Sequence, residues 1–89
     1  MMGGHGKHEQ PERLAEKLLK IRAKLRLSQV GMANALERQG VKIYPGYVAR
    51  YELGDRIPGL LTMRAYAKVA GVSMDQITDD ELDLPAKYK

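Results

Sequence analysis

Apolar residues along this chain recur three or four positions apart, the spacing that places side chains on one face of an α-helix. The first run predicts helix 1 from about Pro11 to Leu25, with an inner face of Leu14, Leu18, Ile21 and Leu25. No segment alternates apolar and polar residues as a half-buried strand would. The pattern therefore predicts an all-α fold.

Helix 2 is predicted from about Gln29 to Gln39. Ser28 precedes this run, where its hydroxyl can accept a hydrogen bond from a free amide of the first turn. Gly40 follows it as a stop signal. The predicted inner face consists of Met32, Ala33 and Leu36.

Helix 3 is predicted from about Pro45 to Leu53, and its start has two interpretations. Pro45 can be the first helical residue, where the amide it lacks would have no partner. Alternatively, Pro45 and Gly46 form a turn and the helix starts one residue later. Tyr44 cannot cap this helix, because its phenol does not reach back to the first amides. The predicted buried side chains are Val48 and Tyr51.

Two further helices complete the predicted bundle. Helix 4 follows Pro58 and stops at Gly71, and helix 5 is short. Ser73 and Gln76 have the spacing of a capping box at the start of helix 5, and Ile77 returns to the core. The predicted inner face of helix 4 consists of Leu60, Met63, Tyr66, Ala67 and Ala70.

The length of 89 residues supports one small domain, predicted over residues 11–83, between a disordered head (1–10) and a tail (84–89). Cysteine is absent, which excludes disulfides and thiolate metal sites. No apolar run approaches the ~20 residues that span a bilayer, and the polar first residues do not resemble a secretory signal. We therefore expect a cytoplasmic protein that does not bind membranes.

Charge is unevenly distributed along the chain. Residues 1–58 contain eleven Lys or Arg and six Asp or Glu, a balance of +5, whereas residues 59–89 contain four and five, a balance of −1. The basic part is expected to face an anionic partner. The alternative is that the Lys and Arg side chains of helix 1 form an ordinary solvated face.

Residues suited to catalysis or metal binding are few. His5 and His8 lie in the glycine-rich head, and no acidic or thiol partner is placed to complete a metal or nucleophile site. The acidic residues between positions 79 and 83 do not have the pattern of a calcium loop. We expect no enzymatic activity, no metal and no cofactor.

A more specific signal is a set of residues in fixed order over about positions 13 to 78. Its members are Arg22, Ser28-Gln29, Ala33, Val48, Glu52, Gly54, Pro58, Ala67 and Gly71-Val72-Ser73. This set resembles the helix-turn-helix domain of the Cro and C1 repressor type, the XRE family. The resemblance implies a compact five-helix bundle of the lambda-repressor-like type, with helices 2 and 3 forming the helix-turn-helix.

The chain departs from that family between Ala33 and Val48, where it is about five residues longer than the shortest members. The sequence LERQGVKIY must therefore extend helix 2 or widen the turn that follows it. Both interpretations remain open at the level of sequence.

In a helix-turn-helix, the second helix of the motif lies in the major groove. Gly46, Tyr47 and Arg50 would face outward from helix 3, and Tyr44 at its start is a further candidate for DNA contact. Arg50 can donate two hydrogen bonds to guanine, and Tyr47 can contact a thymine methyl or a phosphate. The alternatives are a phosphate contact or free solvent for Arg50, and a partly buried ring for Tyr47.

Other polar residues are candidates for phosphate contacts, which provide affinity without sequence information. Gln29 matches the phosphate-contacting glutamine of the family at the start of helix 2. Arg56 follows helix 3 and Lys42 lies in the widened turn. Lys24 and Arg26 are weaker candidates.

The resemblance also implies an ion pair between Arg22 and Glu52, which would hold helix 3 against helix 1. The alternative is two exposed charges that contribute about 0 to 1 kcal/mol.

The function implied by the resemblance is sequence-specific binding of double-stranded DNA by a transcriptional regulator. The simplest form is a repressor that binds a palindromic operator as a homodimer, paired through helix 5 and the residues ITDDELDL. An antitoxin-like or adaptor module that binds another protein through the same fold is the alternative.

Overall fold

Five α-helices form the regular secondary structure of residues 11–86, the part of the chain that the computed structural model describes. No strand occurs within that range, so the predicted all-α fold is confirmed. The predicted head, with His5 and His8, and residues 87–89 of the tail lie outside the described residues. The helices are α1 (Leu14–Lys24), α2 (Gln29–Arg38), α3 (Pro45–Leu53), α4 (Leu60–Ala70) and α5 (Met74–Thr78).

The core receives side chains from all five helices and centres on Tyr66 of α4, which is fully buried. The predicted inner faces of helices 1, 2 and 3 lie in this core or pack against it. None of the helices in residues 11–86 has the length and apolar character needed to cross a bilayer.

Local capping defines the starts of α2 and α5 as the sequence predicts. The hydroxyl of Ser28 accepts a hydrogen bond from the amide of Gly31 at 2.9 Å. At α5, the Ser73 hydroxyl accepts from the Gln76 amide at 3.1 Å, and the Gln76 side chain accepts from the Ser73 amide at 3.0 Å. Both bonds of the predicted capping box are therefore present.

The sequence left open whether Pro45 begins helix 3 or forms a turn with Gly46 before it. Pro45 is the first helical residue, and Tyr44 precedes it in an extended conformation without a capping bond from its side chain. The helix ends at Gly54, whose φ of +83° is strained for any residue with a Cβ atom.

The connection between α2 and α3 contains the additional residues of this chain. Helix α2 ends at Arg38, so residues 39–44 widen the turn rather than extend the helix. Gly40 turns the chain with a φ of +93°, and the amide of Val41 donates to the Leu36 carbonyl at 3.2 Å. Val41 and Ile43 then pack against the core, which anchors the wide turn.

Helix α1 begins at Leu14, three residues later than predicted. The preceding residues form a turn whose amides donate to the carboxylate of Asp80, at 2.8 Å from Glu12 and 3.0 Å from Arg13. Asp80 thus caps α1 from the far end of the chain. Apolar periodicity cannot reveal such a cap, because its partners are 67 and 68 positions apart.

A buried lysine fastens the C-terminal segment, residues 76–84, to α1. The side chain of Lys17 is 1% exposed, and its ammonium donates to the carbonyls of Gln76, Asp79 and Leu82 at 2.8, 2.8 and 2.6 Å. Burial lowers the pKa of Lys17. The three carbonyl acceptors replace the water that the ammonium loses.

Arg13 adds a second set of contacts to the same segment. Its guanidinium donates to the Asp80 carbonyl at 2.8 Å and to the Asp83 carboxylate at 2.7 Å. Leu84 packs against the core, so the packed chain continues one residue past the predicted domain boundary.

Leu60 is a predicted core residue that the structure places in solvent. At about 100° per residue, it lies roughly 120° around α4 from Tyr66. Thr62 and Ala65 occupy the buried side instead, and Met63 is half-buried.

We expect Lys17→Met to lower the free energy of unfolding by about 2 to 4 kcal/mol, because three part-buried carbonyls lose their donor while the apolar stem is retained. Urea denaturation measures this change. Lys20→Met is the matched control, since Lys20 is exposed and pairs with Glu16 of its own helix at 2.9 Å. Equal losses in both variants would contradict a special role for Lys17.

Asp80 should make the fold sensitive to acid. The amide of Arg13, followed by that of Glu12, lowers the pKa of Asp80. A carboxylate with a lowered pKa contributes its full stability above the unfolded value of about 3.9 and loses it as the pH falls through the folded value.

The difference in melting temperature between the wild type and Asp80→Asn should therefore be largest near neutral pH and shrink below about pH 4. Glu81→Gln, at a neighbouring exposed carboxylate, is the control. A difference that persists unchanged into acid would show that the Asp80 charge does not cap α1.

Candidate nucleic-acid interface

The outward side of α3 is defined by the residues that the helix buries. Val48 and Tyr51 face the core, so the first two turns present the opposite side to solvent. A shallow concavity of about 230 Å³ lies there, lined by Tyr44, Gly46, Tyr47 and Arg50. The structure thus brings together four residues that the sequence predicts for DNA contact.

Arg50 is exposed and has one acidic neighbour. Its guanidinium lies 4.0 Å from the carboxylate of Asp55, a separation that leaves the arginine free to turn toward a ligand. Gly54 reverses the chain, and the Asp55 amide donates to the Arg50 carbonyl at 3.2 Å. The sequence interpretation omitted Asp55, although the helix stop at Gly54 returns the next residue over the last turn.

The ring of Tyr47 is partly buried, which is the alternative to a ring that is fully exposed for DNA contact. One part of its ring packs against the core, and the guanidinium of Arg56 lies 4.5 Å from the ring centroid, a cation–π contact. The Tyr44 ring lies 6.4 Å away on the exposed side. The loop after α3 thus places Arg56 beside the concavity.

The candidate phosphate ligands lie on different elements. Lys42 is exposed in the wide turn, whereas Gln29 is half-buried and its amide donates to Glu52 at 3.3 Å. The Gln29 side chain therefore faces the ion pair in this structure. Lys24 and Arg26 are exposed at the end of α1, and Arg26 has a φ of +59°.

Arg22 of α1 and Glu52 of α3 form a bidentate ion pair. The distances are 2.6 Å from Nε to Oε2 and 3.0 Å from Nη2 to Oε1. The third nitrogen donates to the Leu27 carbonyl at 2.9 Å, before α2 begins. The side chains are 20% and 6% exposed, and the hydrogen bond to Glu52 raises the pKa of Arg22.

The buried side chain of Tyr66 lies near this ion pair. Its ring meets that of Tyr51 edge to face, with centroids 6.5 Å apart. The Tyr66 hydroxyl is buried and has no hydrogen-bond partner within residues 11–86. Burial, with a smaller effect from the negative charge of Glu52, raises the pKa of Tyr66.

No protein-family model, curated protein or solved structure matches this chain.

Breaking the pair from one side should be strongly destabilising. Glu52→Ala leaves the Arg22 guanidinium largely buried without its partner, and we expect a loss of about 3 kcal/mol of unfolding free energy. The sum of the losses in Arg22→Ala and Glu52→Ala should exceed the loss in the double variant. We expect this difference, the coupling energy of the pair, to be at least about 1 kcal/mol. Chemical denaturation of the three variants measures the cycle. Additive losses below about 1 kcal/mol each would mean that the pair does not form in solution.

Proposed function

We propose that this chain is a sequence-specific regulator of transcription that binds double-stranded DNA, a helix-turn-helix protein of the Cro and C1 repressor (XRE) type. Helices α2 and α3 form the motif, and α3 enters the major groove. The observation that carries the proposal is the outer side of α3. This side exposes Tyr44, Gly46 and Arg50, while the opposite side is anchored in the core.

Base recognition is assigned to the first two turns of α3. Arg50 donates two hydrogen bonds to the edge of a guanine, the most common specific contact of arginine in the major groove. Gly46 has open space where a side chain would stand, so the backbone can approach the DNA closely. The exposed ring of Tyr44 and the free edge of Tyr47 contact thymine methyl groups or sugars.

Phosphate contacts are assigned to Arg56, Lys42 and Gln29, which lie in the loop after α3, in the wide turn and at the start of α2. Arg56 is held in place by its contact with the Tyr47 ring. Gln29 reaches a phosphate by exchanging its weak bond to Glu52, at 3.3 Å, for one to the DNA backbone. The balance of +5 in residues 1–58 supports an anionic ligand on this side.

A homodimer that binds a palindromic operator completes the proposal. Two copies would place their α3 helices in major-groove half-sites one helical turn apart, about 34 to 36 Å. Repression then follows from occupation of the promoter.

A protein-interaction module of the antitoxin or adaptor type is the second candidate. Exposed apolar residues after α3 and at the start of α4 favour a protein contact of some kind. A gel shift at several salt concentrations separates the two functions, because phosphate contacts weaken steeply with salt.

Selection of bound sites from random duplexes supplies the cognate sequence for a test of the base contacts. On that site, Arg50→Ala should cost about 1 to 3 kcal/mol of binding free energy and relax specificity at one base pair. Arg56→Ala should weaken all duplexes alike and reduce the salt slope by about one.

Arg64→Ala is the control for these binding measurements, because Arg64 is an exposed arginine on α4, away from the concavity. It should leave cognate affinity unchanged. An Arg50→Ala variant that loses affinity equally for cognate and random DNA would contradict the assignment of Arg50 to a base.

A further inference from the structure

An exposed carboxylate lies in the basic middle of the chain. Residues 38–74 contain six Lys or Arg and two Asp or Glu. One of the two acids, Glu52, has a side chain that is 6% exposed and paired with Arg22, whereas the side chain of the other, Asp55, is 56% exposed. Asp55 therefore places a negative charge beside residues that are assigned to DNA contact, where phosphates favour positive charge.

The end of α3 holds Asp55 over the last turn of that helix. Gly54 has a φ of +83°, and the amides of Gly54 and Asp55 both donate to the Arg50 carbonyl, at 3.0 and 3.2 Å. A left-handed residue at a helix end commonly closes the last turn in this way. Because both bonds end on Arg50, the backbone fixes Asp55 close to the arginine that is assigned to a base.

The ion pair between Arg50 and Asp55 involves one end of the guanidinium. The distance is 4.0 Å from Nη1 to Oδ2, which is too long for a hydrogen bond, so the charges attract each other without using a donor. Nε and Nη2 form the other edge of an arginine, the edge with which Arg22 binds Glu52. In Arg50 this edge can donate two hydrogen bonds to guanine while Nη1 stays near Asp55.

Arg56, the residue that follows, forms no ion pair with Asp55 within residues 11–86. Its guanidinium lies 4.5 Å from the centroid of the Tyr47 ring. The two arginines beside the concavity therefore have different partners, an aromatic ring for Arg56 and a carboxylate for Arg50. This difference separates an arginine suited to phosphate from one suited to a base.

We propose that Asp55 is a specificity-determining residue that directs Arg50 to the edge of a guanine and opposes its contact with phosphate. The inference rests on the proposed function, because it assigns a role beside a base-contacting arginine. A phosphate oxygen that approaches Nη1 of Arg50 also approaches the Asp55 carboxylate, and the two negative charges repel each other. The guanine acceptors O6 and N7 are uncharged, so the carboxylate opposes them much less.

The effect of Asp55 on specificity follows from what Arg50 contacts in each complex. On DNA without the cognate base, the available ligand for Arg50 is a phosphate, and non-specific affinity comes almost entirely from such contacts. Asp55 weakens this contact, whereas on cognate DNA Arg50 already donates to guanine. Specificity is a ratio of two affinities, so an element that opposes the wrong ligand raises it without a new contact to the right one.

Fluorescence anisotropy of the full chain on the selected duplex and on a random duplex, at the same salt concentrations, tests this role. Asp55→Asn keeps the shape of the side chain and removes its charge. The ratio of cognate to random affinity should fall about 2- to 5-fold, the range of an exposed ion pair. The salt slope on random DNA should steepen by about one, because Arg50 gains a phosphate.

Asp75→Asn is the matched control, because it makes the same change in net charge at an exposed residue of α5. It should leave the ratio of affinities unchanged. In an Arg50→Ala background, Asp55→Asn should also leave the ratio unchanged, because the arginine that Asp55 directs is absent. Circular dichroism verifies that each variant is folded.

The role of Asp55 is overturned if the wild type prefers the selected duplex and folded Asp55→Asn keeps the same ratio. It is also overturned if Asp55→Asn lowers the ratio equally with and without Arg50. A wild type that prefers no duplex over random DNA refutes the proposed function, and the role of Asp55 with it. The preference of the wild type thus separates the two failures.

Discussion

The contact between Arg22 and Glu52, at 2.6 Å, joins the first helix to the third, and the orientation of α3 depends on it. The same guanidinium donates to the Leu27 carbonyl just before α2, and Gln29 at the start of α2 donates to Glu52. One buried cluster therefore sets the relation of three helices. Buried pairs of this kind seldom add net stability over apolar packing, but a broken pair is costly. The cluster consequently penalises any arrangement in which α3 is displaced.

Lys17 and Asp80 hold the C-terminal segment against the other side of α1. A chain of this size buries only roughly 60 to 65% of the surface that its unfolded form exposes, so apolar packing leaves little reserve. Polar contacts between the start of α1 and the C-terminal segment close this side of the bundle. The contacts of Lys17 use backbone carbonyls of the segment and depend on its shape, whereas the cap on α1 depends on the Asp80 side chain.

The outer side of α3 presents the DNA contacts of the proposed regulator on the first two turns of one short helix. Gly54 follows that helix, and its positive φ turns the chain from α3 into the loop that leads to α4. The Arg50 and Asp55 side chains approach each other across that turn.

The sequence by itself determined the five helices, because apolar spacing and caps such as Ser28 and the Ser73–Gln76 box act between residues close in the chain. It also determined which side of α3 is buried. Only the tertiary structure decided where α1 begins, what Lys17 binds and that Leu60 is exposed, because these outcomes depend on partners many positions away or on the rotation of a helix against its neighbours. The sequence does show Lys17 as a cation among the apolar residues of helix 1. It does not show what Lys17 binds, because the acceptors are backbone carbonyls, and every residue has one. Their positions exist only once the chain has folded.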